Sequence, residues 1–198
     1  MIDRRSALKK IGLSIGYMAV TPTVFNILQS CTNETKLLWR PKFFSEEESI
    51  LITNLIDIIL PKTEKTLGAI DVNVPQFIDS YYNEVVEISE QNSFKNGIHL
   101  ILNTLGADAK KIELKNYNSL LTKYLKANHK ERKAFENNKN ENLVYNTLTK
   151  LRSKAVWAFK TSKEIGKTVL IYDPVPGVQI GCMPLQEATG GKGWSLMN

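Results

Sequence analysis

The sequence predicts an all-α fold, a small helical bundle followed by an extended, proline-rich C-terminal tail. Three observations lead to this prediction. Apolar residues recur every three or four positions in five separate segments, as on one face of a helix. No apolar–polar alternation of any length indicates a strand. Pro174 and Pro176 stand close together near the C-terminus and disfavour a helix there.

We predict three parts of the chain. Residues 1–30 form a twin-arginine or lipoprotein-type signal segment, residues 31–38 a polar tether, and residues 39–198 a single helical domain whose tail begins at about residue 162. A chain of 198 residues is long enough for one such domain.

The first thirty residues have the features of an export signal. Arg4 and Arg5 are followed by a weakly apolar run from Ile11 to Leu28, which Pro22 would kink. The adjacent arginines resemble a twin-arginine signal, although Ala7 replaces the usual phenylalanine. The alternative is an ordinary basic segment of a general secretory signal.

Cys31 closes this segment in the sequence Leu-Gln-Ser-Cys, which resembles a lipobox. In that interpretation Cys31 becomes the lipidated first residue of the mature protein, and more than one acyl chain anchors it stably in a membrane. The alternative is a cysteine that merely follows a signal peptide. We therefore expect a periplasmic, membrane-attached lipoprotein.

The helices of the domain are predicted from caps and periodicity. Residues 45–48 read Ser-Glu-Glu-Glu, a capping box that starts the first helix, and Pro61 ends it. A second helix starts at Val74, and Gly106 stops a third. Apolar positions predict two more helices, around residues 120–125 and over residues 143–159, the latter expected to be the most buried. Residues 128–142 are rich in Lys, Glu and Asn, which indicates a solvated loop or helix end.

The tail, residues 162–185, is predicted to be extended or turned. Its two prolines reduce the conformational entropy that binding would cost, so the segment suits contact with another protein. The alternative is that the tail packs back onto its own helices. The predicted partner contacts are Tyr172, Asp173, Pro174, Pro176, Ile180, Cys182 and Trp194.

Composition argues against nucleic acid as a partner. The net charge is +6, but residues 1–30 hold four basic residues and one acid, so 22 basic and 19 acidic residues remain, a surplus of three. So small a surplus without a basic stripe is not typical of nucleic-acid binding. The sequence also has no G-x-G-x-x-G motif, P-loop or C-x-x-C pair, so we expect no cofactor and no metal site in this chain.

Few side chains suggest chemistry of their own. His99 and His129 lie far apart in separate predicted helices, and we predict no catalytic residue. Asp71 and Asp173 are interpreted as turn residues, and Trp157 as a core residue. Cys182 would be the only thiol left after lipidation of Cys31, which indicates either an intermolecular disulfide or a buried thiol.

Several short motifs over about residues 38–198 resemble the gluconate 2-dehydrogenase subunit 3 family. They are residues 43–47, 59–63, 74–78, 162–166, 172–177, 181–184 and 193–194. The resemblance implies the small subunit of a membrane-associated, FAD-dependent sugar or sugar-acid dehydrogenase. It further implies a flavin-binding large subunit of the glucose–methanol–choline oxidoreductase class, for which the small subunit carries the twin-arginine signal, and often a cytochrome c subunit.

Three hypotheses about function follow. The first is an accessory subunit, not catalytic alone, that co-exports, stabilises and tethers a flavin dehydrogenase, with FAD in the partner. The second is a self-contained enzyme of unknown chemistry, and the third is a lipid-anchored structural protein without a redox partner. The export signal, the missing flavin motif and the proline-rich tail favour the first.

Overall fold

A computed structural model describes Leu37 and residues 39–106, 108–172, 177 and 181–195. These residues contain eight α-helices and no β-strand, which confirms the predicted all-α class. The helices are, in chain order, α1 (Glu46–Ile59), α2 (Val74–Glu84), α3 (Ile88–Leu105), α4 (Leu114–Leu125), α5 (His129–Glu136), α6 (Lys139–Thr161), α7 (Lys163–Thr168) and α8 (Leu185–Thr189).

Helix α1 begins at the predicted capping box. The Ser45 backbone N–H donates to the Glu48 carboxylate at 2.7 Å, and the Glu48 N–H donates to the Ser45 hydroxyl at 3.2 Å. The two bonds satisfy backbone donors that the first turn of a helix leaves unpaired. The helix ends at Ile59, two residues before Pro61, and seven of its 14 residues are buried. It therefore lies in the core.

Asp71 organises the loop between α1 and α2, as the sequence predicted. Its carboxylate accepts from the Gly68 N–H at 2.8 Å and from Lys62 Nζ at 3.1 Å. The Gly68 amide, followed by the Lys62 ammonium, lowers the pKa of the Asp71 carboxyl. A Cβ on Gly68 would lie 2.6 Å from the Lys62 backbone nitrogen, so the close approach requires glycine.

Asp79 on α2 is a buried carboxylate that binds the segment before α1. It accepts three backbone N–H bonds, from Lys42 at 2.8 Å, Phe43 at 3.1 Å and Phe44 at 3.0 Å. Only 1% of the residue is exposed. A buried charge needs hydrogen bonds or a counter-charge. Among the described residues, the three backbone amides supply hydrogen bonds to the Asp79 carboxylate. The start of the domain is thereby fixed to α2.

Helix α6 is central, because it packs against all of α1 to α5 and against α7. Gly97 of α3 allows a close approach of α3 to α6, since a Cβ there would overlap the Thr147 side chain of α6. The expectation that this helix is the most buried is wrong, since six of its 23 residues are buried compared with seven of 14 in α1. A long helix that packs on one side keeps its other face in solvent.

Aromatic rings fill the core between α2, α3 and the segment before α1. The Tyr82 ring lies 4.4 Å from that of Phe94 and 5.7 Å from that of Phe44. Burial raises the pKa of the Tyr82 hydroxyl, and this hydroxyl has no hydrogen-bond partner within the described residues. Tyr82 thus contributes mainly apolar contact.

Residues 128–142 contain a helix of their own. Helix α5 starts at a capping box of Asn128 and Glu131, with bonds of 2.7 and 3.0 Å, and Phe135 is its one buried residue. Helix α6 then begins at Lys139, four residues before the predicted start. The prediction that this region is solvated is confirmed, and local capping gives it the helical form.

The tail is not extended throughout, which corrects the sequence prediction. Helix α7 follows α6 directly, because Ser162 caps it through a bond from the Ile165 N–H at 3.4 Å, and α8 follows Pro184. Residues 173–176 and 178–180 lie outside the described residues. The helices that the structure describes include none that is both long and apolar enough to cross a membrane.

Candidate interaction surface

Four side chains of α2 and α6 form a partly exposed cluster, which we call the aromatic platform: Phe77, Tyr81, Lys154 and Trp157. The Phe77 and Trp157 rings meet edge to face with centroids 5.3 Å apart, and the Tyr81 ring lies 5.6 Å from Trp157. Phe77 is 43% exposed and Trp157 is 42% exposed. The prediction of Trp157 as a core residue is therefore wrong.

Lys154 places a positive charge against these rings. Its Nζ donates to the Tyr81 hydroxyl at 3.0 Å and lies 4.5 Å from the centre of the Tyr81 ring and 5.6 Å from that of Trp157. One turn earlier, Lys150 pairs with Glu90 at 3.1 Å. Lys154 has no such carboxylate partner among the described residues. The cation is held in place and remains able to bind an incoming carboxylate.

A groove of about 430 Å³ adjoins the platform. It runs between the start of α2 and the junction of α6 with α7, and Phe77 belongs to both the groove and the platform. Its wall combines apolar side chains with amides, hydroxyls and one residue of each charge: Val72, Asn73, Val74, Gln76, Phe77, Ser80, Ala158, Thr161, Ser162, Lys163 and Glu164. Such a wall offers both apolar contact and hydrogen bonds.

The tail presents three of the predicted partner contacts. Tyr172 is 47% exposed, Cys182 is exposed, and Trp194 is half-buried. Exposure of Cys182 contradicts the alternative of a buried thiol. The remaining predicted residues, Arg4, Arg5, Cys31, Asp173, Pro174, Pro176 and Ile180, lie outside the described residues.

Ile171 and residues 193–195 pair through backbone hydrogen bonds. The Ile171 N–H donates to the Gly193 carbonyl at 2.9 Å, and the Ser195 N–H donates to the Ile171 carbonyl at 2.7 Å. Ser195 also lies over α7, where a Cβ on Gly166 would come within 2.8 Å of its hydroxyl. The chain after α7 therefore packs back onto its own domain at Ile171 and at residues 193–195, while Tyr172 and Met183 remain exposed. We call residues 171–195 the tail loop.

His99 has a structural partner. Its Nε2 lies 2.9 Å from Glu48 Oε1, and that carboxylate is the one in the capping box of α1. The Glu48 side chain is only 4% exposed, so the contact ties α3 to the start of α1. His129 begins α5 and is exposed. No three His, Cys, Asp or Glu side chains converge as a metal site in the part of the chain that the structure describes.

The aromatic platform was not predicted from the sequence. A pattern was present, since Phe77 and Tyr81 are four residues apart and Lys154 and Trp157 are three apart, which places each pair on one helix face. Periodicity does not distinguish an aromatic residue in the core from one at its edge. Only the packing of α2 against α6 brings the two pairs together.

The fold and these surfaces define a small helical domain with exposed aromatic and tail surfaces suited to binding another protein. Residues 46–177, about two thirds of the 198 residues, match the family Gluconate 2-dehydrogenase subunit 3. The chain therefore belongs to this family, as its motifs predicted, and the family implies a multi-subunit dehydrogenase complex. No curated protein and no solved structure matches the chain.

Proposed function

We propose that this chain is the accessory small subunit of a membrane-associated, FAD-dependent sugar or sugar-acid dehydrogenase. The observation that carries the proposal is membership of the gluconate 2-dehydrogenase subunit 3 family over residues 46–177. The chain co-exports, stabilises and tethers a flavin subunit of the glucose–methanol–choline oxidoreductase class. FAD is bound by that partner, and a cytochrome c subunit completes the complex.

Export and attachment depend on the first thirty-one residues in this proposal. Arg4 and Arg5 direct the folded complex to the twin-arginine route, so that the flavin subunit can cross the membrane with its cofactor in place. Lipidation of Cys31 then holds the complex at the membrane. The polar residues after Cys31 act as a tether between the lipid and the domain.

The tail loop supplies part of the partner interface. Pairing of Ile171 with Gly193 and Ser195 fixes both ends of the loop, so docking costs less conformational entropy than it would for a free chain end. Tyr172 and Met183 offer exposed apolar surface. Cys182 is exposed, and in this proposal it forms an intersubunit disulfide with an unpaired cysteine of the flavin subunit.

Deletion of residues 171–198 tests the tail loop. Helices α1 to α7 end before the deletion, so we expect the circular dichroism spectrum to be largely retained. Binding of the flavin subunit should be lost. A shortened chain that retains its partner at full yield would contradict this part of the proposal.

The whole proposal is tested by purification of the tagged full chain from detergent-solubilised membranes of its own host. We expect a flavin dehydrogenase subunit to co-purify, with a flavin absorbance spectrum and sugar or sugar-acid oxidation by the complex. Mass spectrometry identifies the bound chains. Recovery of the chain alone, or with partners that bind no flavin, would refute the proposal.

A further inference from the structure

We infer that the aromatic platform and its groove bind an extended segment of a partner subunit, one that carries a carboxylate beside an apolar side chain. The inference rests on the proposed function, because it takes the partner to be another subunit of the dehydrogenase complex. It assigns binding to a surface on α2 and α6, separate in sequence from the tail loop.

The apolar part of the surface is preorganised. Phe77 and Trp157 are each more than two-fifths exposed, yet their rings are held edge to face at 5.3 Å. Rigid aromatic side chains lose little conformational entropy on binding, and tryptophan is enriched among the residues that dominate interface energies. An apolar side chain of the partner would remove these rings from water.

The positive charge of Lys154 favours an acidic side chain of the partner at the platform. Lys154 lies on the Tyr81 and Trp157 rings and makes no ion pair with a described residue. A carboxylate that approaches Trp157 would meet this ammonium group in a partly desolvated position, where ion pairing is stronger than in water. A two-fold contact between copies of this chain through the platform would instead bring the Lys154 ammonium groups of both copies to one interface, where like charges repel.

The groove favours an extended backbone over a helix. Asn73, Gln76 and Thr161 line it with amide and hydroxyl groups beside the apolar Val72 and Ala158. An extended segment has free backbone N–H and C=O groups for these side chains, whereas a helix has already paired its own. The groove therefore holds the backbone, and the platform binds the apolar and acidic side chains.

The test compares platform variants with matched controls in the complex purified from host membranes. Trp157→Ala is expected to weaken partner binding by about 30-fold, the typical effect of removing a central aromatic residue. Lys154→Glu is expected to weaken it by about 10-fold or more through like-charge repulsion. The controls are Ile88→Ala, at an apolar residue that is 73% exposed outside the platform, and Lys130→Glu on exposed α5.

The readouts are the dissociation constant of the remixed subunits, the thermal melting curve of each variant and the native mass of the chain alone. Variants that melt like the wild type and bind at least about 10-fold more weakly, with controls within about twofold, support the inference. Wild-type binding by both platform variants would overturn it. A change in the native mass without a change in partner binding would also overturn it, because the surface would then join copies of this chain.

A photo-crosslinking amino acid at Phe77 identifies the segment that binds. We expect a cross-linked peptide of the partner with Asp or Glu within a few residues of the attachment point, and replacement of that acid by Lys should restore binding to Lys154→Glu. A cross-linked peptide without an acidic residue would overturn the inference. If the wild-type chain retains no dehydrogenase subunit at all, the proposed function fails instead.

Discussion

Replacement of Asp79 tests how the start of the domain is held. In Asp79→Asn, one oxygen can still accept from Phe43 and Phe44, but the position that faces the Lys42 N–H at 2.8 Å can become an NH₂ group. A hydrogen bond to a charged group contributes about 1.5–3 kcal/mol, and a neutral bond about 1 kcal/mol. One bond is lost and two are weakened, which by these values sums to about 2.5–7 kcal/mol. Burying a neutral amide costs less than burying a charge and offsets part of this loss, so we expect the free energy of unfolding to fall by about 2–4 kcal/mol.

Urea unfolding of the purified chain measures this loss. With a slope of about 2 kcal/mol per molar urea, the midpoint should fall by about 1–2 M. Asp57→Asn is the matched control, since Asp57 is exposed on α1, and its effect should stay within about 0.5 kcal/mol. Asp79→Ala leaves all three amides without this acceptor. It should therefore lower the free energy of unfolding by at least as much as Asp79→Asn.

Hydrogen exchange locates the effect. The amides of Lys42, Phe43 and Phe44 donate to Asp79 and should lose protection first, while the centre of α6 keeps its protection until global unfolding. Equal stabilities of Asp79→Asn and Asp57→Asn, with unchanged exchange at residues 42–44, would refute the reasoning.

Four further predictions concern export, anchoring and packing. Conversion of Arg4 and Arg5 to lysine should leave the chain and its flavin partner in the cytoplasm on cell fractionation, and normal export of the partner would contradict the escort role. Cys31→Ser should abolish lipid labelling and release the complex from the membrane fraction; unchanged membrane attachment would exclude the lipobox. Tyr82→Phe should change the free energy of unfolding by less than about 1 kcal/mol, because the buried hydroxyl has no described partner, whereas a larger loss in thermal melts would show that it is bonded in solution. Gly97→Ala should destabilise the chain by about 1–3 kcal/mol in urea, since α3 and α6 must separate, and an increase in stability would show that the helices can adjust.

The sequence by itself determined the features that depend on neighbours along the chain. The capping box at Ser45 and Glu48, the end of α3 at Gly106 and the turn at Asp71 all join residues within a few positions of each other. Such interactions can be identified from residue types and spacing alone. The motifs of the family are likewise short and local, so the residues themselves suffice to predict membership.

Tertiary structure decided what depends on residues distant in sequence. Asp79 binds amides 35 to 37 residues away, and the aromatic platform joins residues 77 and 81 to residues 154 and 157. The exposure of Trp157 follows from its place at the edge of the contact between α2 and α6, and helical periodicity is the same at the edge and at the centre of such a contact. The pairing of Gly193 and Ser195 with Ile171 depends on two backbone hydrogen bonds, which side-chain types alone do not predict. Residue types predict which faces are apolar, but only the packed helices determine which of those faces remain available for another protein.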